Sequence, residues 1–227
     1  MRQNSLTGAL FLADLQHNPE VDLKACQVIM ADIGGTTSDF AALSPSGFPR
    51  QASAAASIAG VRTAYSMPEV VSIGLGGGSL VHFVDELSGV PVGPLSVGHR
   101  LLTEARCFGG NALTATDIAV AKGYRDESLP EWQVDISPDI VNQAARDITG
   151  QLQRCVDRMK TSDLDVVLLL VGGGSIIQVD PLANIRKCIR PPFYKVANAV
   201  GAAIAKVWAV RVSSRNKGLT TLGFWRN

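Results

Sequence analysis

The sequence predicts an α/β fold, a mixed sheet flanked by helices, on three observations. Three short apolar runs end at glycine-rich turns, Gly34-Gly35, Gly74–Gly78 and Gly172–Gly174, which is how strands give way to tight turns. One of the runs, Val166–Val171, shows no polar alternation, the pattern of a strand covered on both faces. Segments of helical spacing lie between and after these runs, and strands alternating with helices define the class.

The first element is the run from Gln27 to Asp32, followed by the turn at Gly34-Gly35 and a second run to Leu43 that stops at Ser44-Pro45-Ser46-Gly47. It reads as strand, tight turn, strand, turn. Val70–Ile73, the turn Gly74–Gly78 and Ser79–Val84 repeat that pattern. A helix is expected at Thr116–Gly123, with Thr116 or Asp117 as its N-cap and a glycine at its end. Ser137-Pro138 opens a longer helix to about Lys160, with proline at its first position. Ile140, Ala144, Ile148, Leu152, Cys155 and Met159 recur there at three to four residues, as one buried helix face requires. After the strand Asp165–Val171, the alanine-rich segment from Tyr194 to about Val210 reads as a last helix with a small-residue face.

Composition excludes several classes of function. The 227 residues carry 21 Lys+Arg against 20 Asp+Glu, a net charge of +1, with no basic footprint for nucleic acid and no polybasic membrane patch. A hydrophobic share of 46% with so little net charge is not that of a disordered chain. Cys26, Cys107, Cys155 and Cys188 include no C-x-x-C pair, so buried reduced thiols are expected rather than a zinc ribbon or redox motif. Neither a signal peptide at Met1–Gln16 nor a run long enough to span a bilayer is written. A soluble, cytoplasmic protein is the expectation.

Glycines at a strand end let a ligand approach the backbone, because they lack Cβ. Successive N–H groups of Gly34, Gly35, Thr36 and Thr37 then form a concave site suited to phosphate, and the two threonine hydroxyls add donors. Asp32, at the strand end, places a carboxylate where Mg²⁺ bound to a phosphate would sit, directly or through water. Asp39 is placed to position a water or orient a hydroxyl. The other reading of this octet is an ordinary hairpin with two solvated aspartates. Gly172, Gly173, Gly174 and Ser175 follow a buried strand, where α/β proteins commonly bind nucleotides. No Walker A loop occurs, and Gly74-x-Gly76 is followed by Ser79 where a dinucleotide fingerprint needs glycine. His17, His82 and His99 are isolated, and Ser79 lacks a nucleophile elbow. Arg186, Lys187 and Arg190 read as a solvated turn before Pro191-Pro192.

The octet Asp32–Asp39 resembles the D-[IV]-G-G-T-T-[TS]-D signature of the hydantoinase A/5-oxoprolinase family, a branch of the actin-like ATPases. Further blocks are similar to that family in the same order. Asn4–Ala9 resembles the small-residue stretch ahead of the first strand. Gly47–Arg50, Gly60–Thr63 and Met67–Val70 resemble the link between the first two glycine turns. Ser72–Ser79 is similar to its S-I-G-x-G-G-G-S block, Val92–Gly98 to V-G-P-x-S-x-G, and Leu113–Asp117 to its T-x-T-D element. Val171–Ser175 and Ala197–Ala203 fall where the family carries its adenosine loop and closing helix.

The resemblance implies a ribonuclease-H-like lobe of an actin-like ATPase. Asp32–Asp39 would be its second phosphate loop, Gly172–Ser175 its adenosine loop, and Asn198–Ala203 the helix joining two lobes. It implies ATP and Mg²⁺ as cofactors, Asp32 holding Mg²⁺ through water. The implied activity is opening of hydantoin- or 5-oxoproline-type cyclic amides by phosphorylation of the amide oxygen. The family's first phosphate loop, another D-x-G-G-T motif in an amino-terminal lobe, does not occur in these residues, and residues 208–227 depart from the family pattern. The expectation is therefore a carboxy-terminal lobe over 1–207 with a divergent tail over 208–227, a fragment of the two-lobe ATPase. Its expected partners are an amino-terminal ATPase lobe, a hydantoinase B-type subunit and a small cyclic amide. Two other readings stay open, a truncated non-catalytic remnant or partner-binding module, and an ATP-dependent carboxylase subunit.

Overall fold

The computed structural model describes residues 2–13, 25–44, 49–52, 57–58, 61–62, 68–82, 89–124 and 134–204. Its elements in order are helix α1 (Arg2–Ala13), strands β1 (Cys26–Ile33), β2 (Ser38–Ala42), β3 (Ser57–Ile58), β4 (Val61–Arg62), β5 (Val70–Ile73), β6 (Ser79–Val81) and β7 (Val92–Ser96), then helices α2 (Leu101–Glu104), α3 (Ala115–Ala121) and α4 (Pro138–Met159). Strands β8 (Asp165–Val171) and β9 (Ile185–Ile189) and helix α5 (Ala197–Ile204) complete it. Short 3-10 turns cover Arg106–Phe108, Gly173–Ile177 and Tyr194–Val196.

Five strands form the main sheet in the order β5-β2-β1-β8-β9. β1, β2 and β5 meander antiparallel, and β8 and β9 run parallel to β1. This is the ribonuclease-H-like arrangement that the sequence leads one to expect. β8 is buried from Val166 to Val171 because helices cover both faces of its sheet. On one face Ile29, Ala31, Ile33, Phe40, Leu168 and Leu170 pack with Ile148, Leu152 and Val156 of α4. On the other, Val28, Met30, Ala41, Val167 and Leu169 pack with Ala9 of α1 and Ala197 of α5. Alternate residues of each strand serve opposite faces, as the pleat dictates.

Helix α4 matches its predicted span. Pro138 stands in its first turn, where a missing N–H costs nothing, and its last turn is held from outside. The carbonyl of Met159 accepts from Gln27 Nε2 at 3.2 Å and Arg50 Nη1 at 3.1 Å, and Arg50 Nε meets Glu69 Oε2 at 2.7 Å. These contacts satisfy an acceptor that every helix end leaves open.

Five expectations need correction. The cap of α3 is Thr114, not Thr116 or Asp117, because Thr114 and Asp117 exchange side-chain and backbone bonds in a capping box. β5 and β6 flank the second glycine turn as expected, but not as the hairpin that a full repeat of the first pattern would give; β5 joins the main sheet, whereas β6 pairs with β7. None of the four cysteines is in a disulfide, but Cys188 is exposed and Cys107 half-buried, and only Cys26 and Cys155 belong to the interior. Arg190 braces the turn after β8, with Nη2 donating to Ser175 O at 3.3 Å and Gln178 Oε1 at 3.1 Å. The final helix begins only at Ala197, after a 3-10 turn. Its expected continuation to Val210, the boundary at residue 207, the tail, His17 and parts of the link between the glycine turns lie outside the described residues. Among the described residues no helix is long and apolar enough to cross a membrane.

Candidate functional site

At the carboxyl ends of β1 and β8 the three glycine turns meet. The first closes on itself, with Gly34 N donating to Thr37 O at 2.9 Å. The second is laid against it, since Gly77 N donates to Gly34 O at 2.9 Å and Gly78 N to Gly35 O at 2.7 Å. The third lies so close that a Cβ on Gly174 would stand 2.0 Å from Gly34 O. A Cβ on Gly76 would likewise stand 2.6 Å from Thr36 N. Gly172 adopts φ +86°, and a Cβ there would come within 2.6 Å of Asp32 Oδ1. Only glycine permits this backbone approach.

Two glycines differ from these. Around Gly35 and Gly173 no atom lies within 4 Å of the place a Cβ would take, so both present bare backbone to open space. Both line a cleft of about 310 Å³, together with Gly77 and Gly174. Its other walls are apolar or aromatic (Leu101, Phe108, Tyr124 and Ile176), with Thr116 and Lys195 as polar side chains. Gly172 N donates to Tyr194 O at 2.8 Å, which fixes the turn carrying Lys195 beside the third glycine turn. The Lys195 ammonium stands 5.9 Å from the Tyr194 ring centroid, within cation–π range.

The predicted residues divide into three groups. Gly35, Gly173 and Gly174 line the cleft, with Gly34 directly behind Gly174 and Thr36 and Thr37 exposed alongside. Asp32 and Asp39 are not among its lining residues. They are register partners across β1 and β2, and Ser72 is the partner of Asp39 on β5. Directly opposed residues share a face, so the two carboxylates stand side by side next to the turn, and Ser72 Oγ donates to Asp39 Oδ1. Ser175 turns inward. It is fully buried, its Oγ has no hydrogen-bond partner among the described residues, and its N–H donates to Gly172 O at 3.1 Å.

Sequence reasoning missed the walls. Leu101, Phe108, Tyr124, Ile176 and Lys195 carry no local motif, and only the Thr114–Asp117 block gave a signal, without a role. The structure supplies one part of that role. Thr116 donates to Gly77 O twice, from N at 2.9 Å and from Oγ1 at 2.8 Å, and so clamps the second glycine turn to α3.

The sequence profile of the Hydantoinase/oxoprolinase family matches residues 8–161, more than half of the chain. Among solved structures, nucleotide-free acetone carboxylase is similar at 18% identity and a TM-score of 0.63, over 92% of this chain and 32% of that one. An ATP-dependent caprolactamase from Pseudomonas jessenii is similar at 19% identity and a TM-score of 0.62, over 91% of this chain and 33% of that one. The chain thus spans about a third of the length of each, and identities this low speak for shared fold. No curated protein sequence matches.

Proposed function

The chain belongs to the hydantoinase/oxoprolinase family, and from that premise we propose that it supplies one nucleotide-binding lobe of an ATP-dependent enzyme that opens cyclic amides. The supporting observation is the meeting of three glycine turns that leaves the backbone bare at Gly35 and Gly173. Such a surface suits an anion that must touch main-chain N–H groups. The donor set fits Mg·ATP. Gly34 to Thr37 offer N–H groups and two exposed hydroxyls to phosphate, and Gly172–Gly174 face the adenosine side. Asp32 would hold Mg²⁺ through water, with the carboxylate of Asp39 facing it across the strand pair.

On this reading bound ATP would supply a phosphoryl group to the amide oxygen, leaving ADP, and attack of water on the activated carbon would open the ring and release phosphate. The protein's part is then positioning and charge stabilisation. Asp39, oriented by Ser72, is placed to orient a water or hydroxyl. Ser175 supports the turn from beneath by its N–H bond to Gly172. Ring opening on this reading requires an amino-terminal ATPase lobe and a hydantoinase B-type subunit as partners, in the cytoplasm.

A carboxylase reading stands beside it, because the likeness to acetone carboxylase equals that to the caprolactamase. Assays with a lactam or hydantoin against a ketone plus bicarbonate separate the two. The common premise is tested by calorimetric titration of the full chain, with its partners supplied, against Mg·ATP. Gly35→Ala fits the open space, so it is expected to weaken binding at least tenfold while the melting temperature stays within about 4 °C of the native chain, the scale of a 1 kcal/mol change. Absence of binding by the native assembly, or unchanged binding by the variant, refutes the nucleotide site; the former favours a non-catalytic partner-binding module.

A further inference from the structure

We propose that Asp117 is a positioning residue of the cleft, acting through Phe108. Asp117 is completely buried and does not line the cleft. Its carboxylate nevertheless gathers four donors from two separate segments. On its own helix, Oδ2 accepts from Thr114 N at 2.7 Å and Thr114 Oγ1 at 2.8 Å. From the preceding 3-10 turn, Oδ1 accepts from Cys107 N at 2.7 Å and Oδ2 from Arg106 N at 3.4 Å. A capping box needs only one of these four, Thr114 N to Oδ2, with Asp117 N donating back to Thr114 Oγ1 at 3.4 Å. The second pair ties the turn Arg106–Phe108 to α3, and the next residue of that turn is the aromatic wall Phe108.

The neighbouring residue of the same helix, Thr116, holds Gly77, another residue that lines the cleft. The first turn of α3 therefore joins the aromatic side of the cleft to the glycine side. A buried charge that accepts several hydrogen bonds is a stiff fixture, because removing any one donor or acceptor leaves a desolvated group without its partner. A carboxylate is suited to this task and an amide is not. Asparagine would turn its amide N–H groups on Cys107 N if the nitrogen took the place of Oδ1, or on Thr114 N and Arg106 N if it took that of Oδ2. The placement of Phe108, and with it the width of the cleft, is set by a residue that no ligand touches.

The inference rests on the cleft being a nucleotide site, and a double-mutant cycle tests it on the full chain with its partners. Mg·ATP affinity is measured for the native chain, Asp117→Asn, Phe108→Ala and the double variant. Each single variant is expected to bind at least tenfold more weakly, and the double variant no more weakly than Phe108→Ala alone. A role confined to stability would lower the melting temperature and leave the affinity of the folded molecules unchanged. Full additivity of the two effects, or native affinity in either single variant, overturns the inference. If Asp117→Asn does not fold, Thr114→Val repeats the cycle, since it withdraws one donor from the carboxylate, and with it the acceptor of Asp117 N–H, and leaves the carboxylate itself in place. Native chain that fails to bind Mg·ATP removes the nucleotide reading and this inference together. Loss of binding in Gly35→Ala with native affinity in Phe108→Ala overturns the inference alone.

Discussion

Replacing neighbouring glycines of the third turn by alanine gives opposite outcomes if the turns meet as described. At Gly174 the new methyl would stand 2.0 Å from Gly34 O, 2.9 Å from Gly34 C and 3.0 Å from Ile33 O. All three atoms are main chain at the junction of β1 and its turn, so no side chain can swing aside. Overpacking of a tight interior costs about 1–3 kcal/mol, and a clash confined to backbone belongs at the upper end. About 3 kcal/mol in a domain of this size lowers the melting temperature by about 6–12 °C. At Gly173 nothing lies within 4 Å, and alanine is expected to stabilise by about 0.4–1 kcal/mol through the unfolded chain. Thermal unfolding followed by circular dichroism, with the two variants side by side, reads a gap of roughly 7–16 °C. Equal melting temperatures would refute the convergence of the turns. Calorimetry with Mg·ATP completes the experiment, since Gly173→Ala should weaken binding despite its stability.

Two further outcomes follow from side chains away from the turns. Burial, and then the charge of Asp117 and a hydrogen bond to it, push the Cys107 thiol far above its ordinary range. The thiolate is the reactive form, so Cys107 should resist maleimide from pH 6 to 9 while exposed Cys188 labels first, and Asp117→Asn should speed labelling of Cys107; peptide mapping of labelled chain checks both. Arg50→Met removes the bonds to Glu69 and Met159 O and should cost about 1–2 kcal/mol, seen as a melting temperature lower by about 2–8 °C.

The parts of the fold that were legible are those whose signal is local. β8 announces itself by an unbroken apolar run, and α4 by a buried face at helical spacing with proline at its start. α1 gave no such signal. Its small residues mark no apolar stripe, and its place is fixed by tertiary contact, where a Cβ on Gly8 would stand 1.8 Å from Ala197 O on α5. The separate pairing of β6 with β7 was illegible for the same reason, because it depends on the second glycine turn being drawn onto the first. The glycine turns themselves were readable as anion cradles, since absence of Cβ is a property of the sequence. Phe108, Tyr124 and Lys195 were not, because their neighbours in the cleft lie far away along the chain.

The parallel pairing of β1 with β8, from Cys26↔Asp165 to Asp32↔Val171, sets an order of events. Antiparallel neighbours can zip from their turn, but these two strands meet only after the whole intervening chain has been gathered, at a considerable loop-closure cost. The first and second glycine turns can thus dock while the third is still unplaced, and the chamber between them exists only once the last strands have joined. A ligand held there would see no partial version of its site. Its binding would be coupled to the complete sheet and would shift the balance between folded and unfolded chain as a whole, which ties occupancy of the site to the stability of the entire sheet.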